Sequence, residues 1–278
     1  YLMGIDIGTT GTKVVLVDER GRVTASAPNS YPLSTPHTDW MEQDPTDWWK
    51  ATQKGIKQVL STSSVHVSQI AGVGLTGQYH GAVLINNYGQ VLRPCILWCD
   101  QRTTKQSEEI KKIVGREKLL EITGSPGFPY FTACKILWIR ENEPSVYEKL
   151  YKLLLPKDYV RFKLTDAFVT DVTDASGTLL LDMRRRKWSG EMLEYLQLSA
   201  DILPDCLESV DVSGYITEQA AQMTGLAKGT PVIAGAGDQA AQAVGNGIIE
   251  EGLIVCTLGT SGVIFAPTDT LYQDPQAR

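Results

Sequence analysis

Short apolar blocks broken by glycine dominate the first third of the chain, and longer amphipathic stretches fill its middle. Residues 2–7 and 13–17 have the alternating, β-branched character of strands, with a glycine-bounded turn at 8–11 between them. Residues 18–21 read as a hairpin turn into a third strand at 23–27, and a loop rich in Pro, Ser and Thr follows from about 28 to 39. Asp44-Pro45 predicts a capped helix with proline at its first position, running to about residue 60. Strands are expected at 70–75 and 82–85. Residues 103–164 are mostly helical in pattern, with breaks at 124–127 and Pro156, and residues 166–211 mix short strands and helices. Residues 231–234 form a buried strand, 235–237 a turn and 238–244 an Ala-rich helix, before strands at 253–258 and 263–266 around another glycine turn. Strands alternate with helices behind an antiparallel meander, so the class is α/β with a mixed sheet.

One motif occurs twice. Ile5-Asp6-Ile7-Gly8-Thr9-Thr10-Gly11 and Thr257-Leu258-Gly259-Thr260-Ser261-Gly262 are both strand, Gly-Thr-(Thr/Ser)-Gly, strand. The spacing points to a duplicated domain whose second copy starts near Gly252 and needs more residues than the chain holds. Such turns expose successive backbone N–H groups beside small hydroxyls, which makes an anion site; read singly, each is only a hairpin with convenient residues. Asp6, beside the first turn, suits Mg²⁺, which takes few carboxylates and keeps its waters.

Composition narrows the class. With 278 residues, 42% of them hydrophobic and 21% charged, the chain reads as an ordinary globular protein. No apolar run approaches the roughly 20 residues of a membrane span, and the start lacks the basic region of a signal peptide. A net charge of −6 argues against nucleic acid as partner. Five scattered cysteines without a CxxC fit a reducing cytoplasm. Cys95 and Cys99 read as buried thiols, because no second cluster completes a metal site.

Two further segments carry candidate chemistry. Asp238 falls where a strand passes into a helix, a place for an ionised base near a helix N-terminus or for a plain N-cap. Gly235-x-Gly237-x-x-Ala240 at the same junction also matches the dinucleotide fingerprint, without a convincing acid at the end of the next strand. Gly77-Gln78-Tyr79-His80-Gly81 and Trp98-Cys99-Asp100-Gln101-Arg102-Thr103 put polar and aromatic groups at strand ends, as a sugar site requires. Read alone, Trp98 is as well explained as core and His80 as a satisfied loop histidine.

Taken in order, these segments, with Trp40-Met41-Glu42-Gln43-Asp44-Pro45, Lys135-Ile136-Leu137-Trp138, Leu155-Pro156-Lys157-Asp158-Tyr159 and Gly237-Asp238-Gln239, resemble the FGGY family of carbohydrate kinases. The resemblance implies an actin-like (ribonuclease H-like) fold with a mixed five-stranded sheet flanked by helices. Residues 1–248 would be the sugar-binding domain and 249–278 the start of a second, ATP-binding one, whose remainder supplies the adenosine pocket. It further implies Asp238 as general base, Asp6 and Asp238 beside Mg²⁺, and ATP phosphates held by Gly8, Thr9, Thr10, Gly11, Thr12 and Lys13 and by Gly259, Thr260, Ser261 and Gly262. His80 and Gln239 would touch sugar hydroxyls, with Tyr79, Trp98, Asp100 and Tyr130 as further substrate contacts. Gly-Gln-x-His-Gly and Leu-Pro-Lys-Asp-Tyr are most similar to the xylulokinases. Tyr79 departs from their usual Met, and Pro129-Tyr130-Phe131 resembles the glycerol kinase pattern. The partners implied are a small sugar and ATP, with a homodimer as the one protein assembly considered.

Overall fold

The computed structural model describes residues 1–258 and 262–272. Its centre is a mixed sheet. Leu2–Ile7 (β1), Gly11–Val17 (β2) and Val23–Ser30 (β3) form the meander, and Gly72–Gly77 (β4) lies parallel to β1 on its other side. Beyond β4 come Val212–Tyr215 (β5), Pro231–Ile233 (β6) and Ala236–Gly237 (β7), in the order β5-β6-β4-β1-β2-β3 with β7 also paired to β4.

The sheet thus has seven strands where five were expected. Five lanes are present, but the last is split into β6 and β7, and β5 adds an antiparallel edge. The split sits at Gly235, whose φ of 78° kinks the chain and whose Cα lies so close to β4 that a Cβ would come within 2.1 Å of the Leu75 carbonyl oxygen. Residues 235–237 are therefore not a turn: the strand resumes, with Ala236 opposite Thr76 and Gly237 opposite Gly77.

One face of the sheet is packed. Met3, Ile5, Ile7, Val14, Leu16, Val73 and Leu75 are buried in a core shared with Trp48, Ile56 and Val59 of the helix Pro45–Thr62 (α1). At about 1.5–3 kcal/mol for each fully buried large apolar side chain, these helix residues alone bind α1 firmly to the sheet. The helix begins as the sequence predicts: Pro45 is at its first position and the Thr46 N–H donates to Asp44 Oδ1 at 2.8 Å. The opposite face carries Gly4, Asp6, Val15, Gly74 and Thr76, all half-buried.

A second core lies in a mainly helical region, where Ile110, Leu119, Ile136, Leu137 and Met192 meet. Arg102 links it to the N-terminal loops, pairing with Glu42 and Asp100 at 2.7 Å each while its guanidinium lies 3.7 Å from the centre of the Trp40 ring. Val255–Leu258 and Gly262–Phe265 pair as the expected hairpin, while Gly259, Thr260 and Ser261 lie outside the described residues.

The fold also encloses charge. Lys157 and Arg161, on the helix Pro156–Thr165 (α2), are fully buried with Asp158, Asp171 and Asp174. Lys157 Nζ is 2.6 Å from Asp158 Oδ1, 2.8 Å from Asp171 Oδ1 and 3.1 Å from Asp174 Oδ2. Burial opposes the Lys157 charge, but these carboxylates outweigh it and raise its pKa. Burial raises the pKa of Asp174, with the Lys157 charge pulling it back. Lys157→Met would leave buried carboxylates without their cation. It is expected to lower stability to chemical denaturation by about 3–5 kcal/mol, and an unchanged midpoint would show that the cluster is balanced without it.

Candidate active site

The pairing register brings the candidate acids to one edge of the sheet. Asp6 of β1 is opposite Thr76 of β4, which is opposite Ala236 of β7; one step on, Ile7, Gly77 and Gly237 form the next row. All three strands run parallel, so the first hairpin turn, the Gly77–Gly81 loop and Asp238 leave the sheet together at their C-terminal ends. Asp238 opens the helix Asp238–Gly245 (α3). The N-cap is Gly237, not Asp238, and no side chain caps the helix.

Burial sets the ionisation of both acids. Asp238 is raised by burial, against hydrogen bonds from the side chain and backbone of Gln239. Burial and then the Asp238 charge push Asp6 up to about 6, with Lys13 pulling it back. Both acids are thus harder to ionise than a free carboxyl, and the Asp238 charge opposes that of Asp6. Two carboxylates in this relation fit a divalent cation, which relieves their repulsion; Asp6 and Asp238 would hold Mg²⁺ there, where it would neutralise phosphate charge.

The start of α3 separates two cavities. On one side Gly4, Asp6, Lys13, Thr76, Ala236 and Ala240 help line a groove of about 530 Å³. On the other, Tyr79, His80, Ser176, Gly177 and Gln239 help line a pocket of about 460 Å³ that Tyr272 also borders.

The hairpin beside the groove is braced from below. Tyr31 donates to the Gly8 carbonyl at 2.5 Å, Gln43 Nε2 to the Thr9 carbonyl at 2.7 Å, and the Thr9 hydroxyl to Gln78 Oε1 at 3.1 Å. Gln78 and Trp48 in turn both donate to Gln43 Oε1, each at 3.1 Å. The acceptors of Gly8 and Thr9 are thus tied into the protein, which suits a turn whose Thr9 and Thr10 N–H groups are kept for an anion. Thr10, Gly11, Thr12 and Lys13 continue the turn into β2, with the Gly8 N–H donating to the Gly11 carbonyl at 3.1 Å.

On the other side, His80 has a φ of 66° and its Nδ1 lies 2.7 Å from the Gly177 carbonyl oxygen. A carbonyl only accepts, so Nδ1 carries the proton and Nε2 is left as an acceptor. Burial, aided by the Lys135 charge, pushes the His80 pKa down to about 4 and keeps the ring neutral. Rings of Tyr79, Tyr130 and Phe131 surround it at 5.4, 5.0 and 4.9 Å. The buried Oε1 of Gln239 has no hydrogen-bond partner among the described residues. A neutral acceptor, an orphaned amide oxygen and aromatic walls are the fittings of a polyol site.

Two predicted substrate contacts lie elsewhere. Asp100 is fully buried, one oxygen taking the Arg102 N–H at 2.9 Å and the other the Met41 N–H at 2.7 Å, with the Arg102 guanidinium spread over both. No lone pair is left for a ligand. Trp98 donates from Nε1 to the Thr9 hydroxyl at 3.0 Å, which joins it to the hairpin rather than to the pocket. The dinucleotide alternative fails at Gly237, where a Cβ would lie 2.0 Å from Tyr79 Cζ: a protein ring covers the backbone that a pyrophosphate would approach. Cys95 is buried as expected, and Cys99 half-buried.

Sequence reasoning missed the segment 171–178. Its Ser176 and Gly177 line the pocket, and its Thr173 lines the groove. The available signal was its density of Asp, Thr and Ser between two apolar stretches.

Comparison with known proteins agrees with this geometry. The profile of the N-terminal domain of the FGGY family of carbohydrate kinases matches residues 1–245. A xylulose kinase from Bacillus subtilis is 41% identical over 274 residues, 99% of this chain and 55% of that protein. The crystal structure of xylulose kinase from Rhodospirillum rubrum superposes with a TM-score of 0.94 at 30% identity, over 99% of this chain and 56% of that one. A gluconate kinase structure from Lactobacillus acidophilus superposes with a TM-score of 0.93 at 28% identity, over the same shares. The chain thus spans about half the length of the relatives it matches. On the family match and the coverage together, this chain belongs to the FGGY family of carbohydrate kinases.

Proposed function

We propose that this chain provides the sugar site and the catalytic base of an ATP-dependent sugar kinase, with D-xylulose as the favoured acceptor and D-xylulose 5-phosphate as product. The observation that carries the reading is the start of the helix that Asp238 opens, which parts two cavities, one lined by Asp6 and Ala240 and the other by His80 and Gln239. The sugar occupies the second cavity, its hydroxyls donating to His80 Nε2 and Gln239 Oε1, with Tyr79 and Phe131 as walls and Tyr130 packed on the His80 ring. The phosphates of ATP lie along the groove against the first hairpin, and Gly259–Gly262 in a second domain beginning near residue 249 completes their cradle. The adenosine pocket belongs to that second domain.

The reaction is direct in-line transfer. The primary hydroxyl oxygen forms a bond to the γ-phosphorus as the bond from that phosphorus to the β-phosphate oxygen breaks, and ADP leaves. Asp238 orients the hydroxyl and takes its proton late, as charge spreads over the transferring group. Burial raises its pKa and so makes it a stronger base than an exposed aspartate. Gluconate is the second reading, supported by the close superposition on a gluconate kinase.

Asp238→Asn is expected to lower turnover at least about a thousandfold while sugar affinity stays within about threefold; near-normal turnover removes the base from the mechanism. A panel of xylulose, ribulose, glycerol and gluconate, assayed with ATP, is expected to give the highest kcat/KM with xylulose, and a gluconate preference selects the second reading. Calorimetry on the 278-residue chain is expected to show xylulose binding; an ATP analogue that binds equally well would mean that the adenosine pocket does not need the second domain.

Asp6 adds a pH signature. Its pKa is about 6 in the folded chain, above the value of 3.8 without the fold. Folding therefore favours its protonated form, a contribution complete below about 3.8 and lost as pH rises through about 6. Asp6→Asn is expected to be more stable than the parent chain by about 2 kcal/mol at pH 8, with the gap closing towards pH 4. Equal stability at pH 8 would show that the Asp6 charge is not opposed.

A further inference from the structure

The residue before Asp238 is held from two sides. The Gly237 N–H donates to Thr173 Oγ1 at 3.0 Å, and the Tyr79 ring lies against its Cα. Thr173 is itself fixed. Its hydroxyl donates to Asp171 Oδ2 at 2.5 Å and its N–H to the same oxygen at 2.8 Å. The Ser209 hydroxyl adds a third donor at 3.0 Å, and Asp171 Oδ1 pairs with Lys157 Nζ at 2.8 Å. A hydroxyl has a single proton; with that proton committed to Asp171, Thr173 turns only lone pairs towards Gly237, which is what an N–H requires. The direction of every bond in the chain from Gly237 to Lys157 is thereby determined.

Besides the pairing of Gly237 with Gly77 and the Gln242 Nε2 hydrogen bond to Thr257 Oγ1 at 3.1 Å, the helix that Asp238 opens is held by few buried contacts. Ala243 is its one fully buried residue, and no side chain caps its first turn. Where the helix starts is set largely at Gly237. We infer that Thr173 is a positioning residue for the Asp238 carboxylate, held by Asp171 and, through it, by the buried Lys157. The inference rests on Asp238 being the base. Thr173 does not take part in the proton transfer; it acts through the backbone on the place from which Asp238 meets the sugar hydroxyl. Transfer between groups that must align is sensitive to such placement, a shift of about 1 Å being able to lower the rate about a hundredfold.

The test uses the active enzyme that contains this chain, with ATP and its preferred sugar. Thr173→Val keeps the branched shape but removes both the donor to Asp171 and the acceptor for Gly237; Thr173→Ser keeps both. The Val variant is expected to lose about ten- to a hundredfold in kcat with the sugar KM within about twofold, and the Ser variant to recover to within about threefold of the parent. A Val variant with the parent kcat overturns the inference. So does an equal loss in Val and Ser, since shape rather than the hydroxyl would then matter, and so does a loss confined to KM. Should the Val variant not fold, Ser209→Ala decides: removing one donor from the same Asp171 oxygen is expected to lower kcat about two- to fivefold, and an unchanged kcat overturns the inference. Turnover retained by Asp238→Asn is a separate outcome, which removes the base assignment whatever the Thr173 variants show.

Discussion

A single ammonium group, sealed from water, underlies the geometry of this molecule. Lys157 Nζ reaches three aspartates, one on its own helix and two in the segment whose Ser176 and Gly177 line the second cavity. Desolvating such a group is expensive, and only close opposite charge offsets it. The arrangement is therefore all or nothing. Asp171 is pulled below the usual carboxylate range although burial works the other way, because Lys157 and the hydrogen bonds from Thr173 outweigh it. A carboxylate under that constraint makes a rigid anchor, and the loop that carries it inherits the rigidity.

The two faces of the sheet divide the work. The face under α1 is filled with Met3, Ile5, Ile7 and Leu75 and supplies stability. The other presents glycine, threonine and aspartate, side chains that pack little and leave space. Asp6 lies on this second face and Asp238 opens the helix beyond its edge; burial raises both. The stability given up at Asp6 is what keeps an acid in the lining of the groove. Support for the site is also asymmetric. The hairpin is braced by the Gln43 and Gln78 amides, whereas Asp238 follows a glycine held by backbone contacts.

The strands were legible because alternation survives in a sheet with one packed face: Met3, Ile5 and Ile7 point one way, Gly4 and Asp6 the other. The start of α1 was legible because Asp44 and Pro45 are local signals. The broken lane was not, since Gly235 reads equally as a turn or as a kink between two pieces of strand, and the Leu75 carbonyl that decides between them is far away in sequence. Asp100 was misjudged for a similar reason. Its neighbours in sequence resemble a site, while its partner Met41 lies 59 residues off. Thr173 could not be found locally at all, because the bond that gives it meaning spans 64 residues. Local chemistry proposed Asp6, His80 and Asp238 as candidates; the contacts that hold them are properties of the fold.

The aromatic ring that lies on Gly237 ties the histories of two positions together. Hydrogen is the only side chain that fits beneath Tyr79, so residue 237 cannot change while the ring is present. Replacing the ring with a slimmer, flexible side chain lifts the restriction and frees the glycine. In this chain, then, bulk at position 79 excludes bulk at position 237.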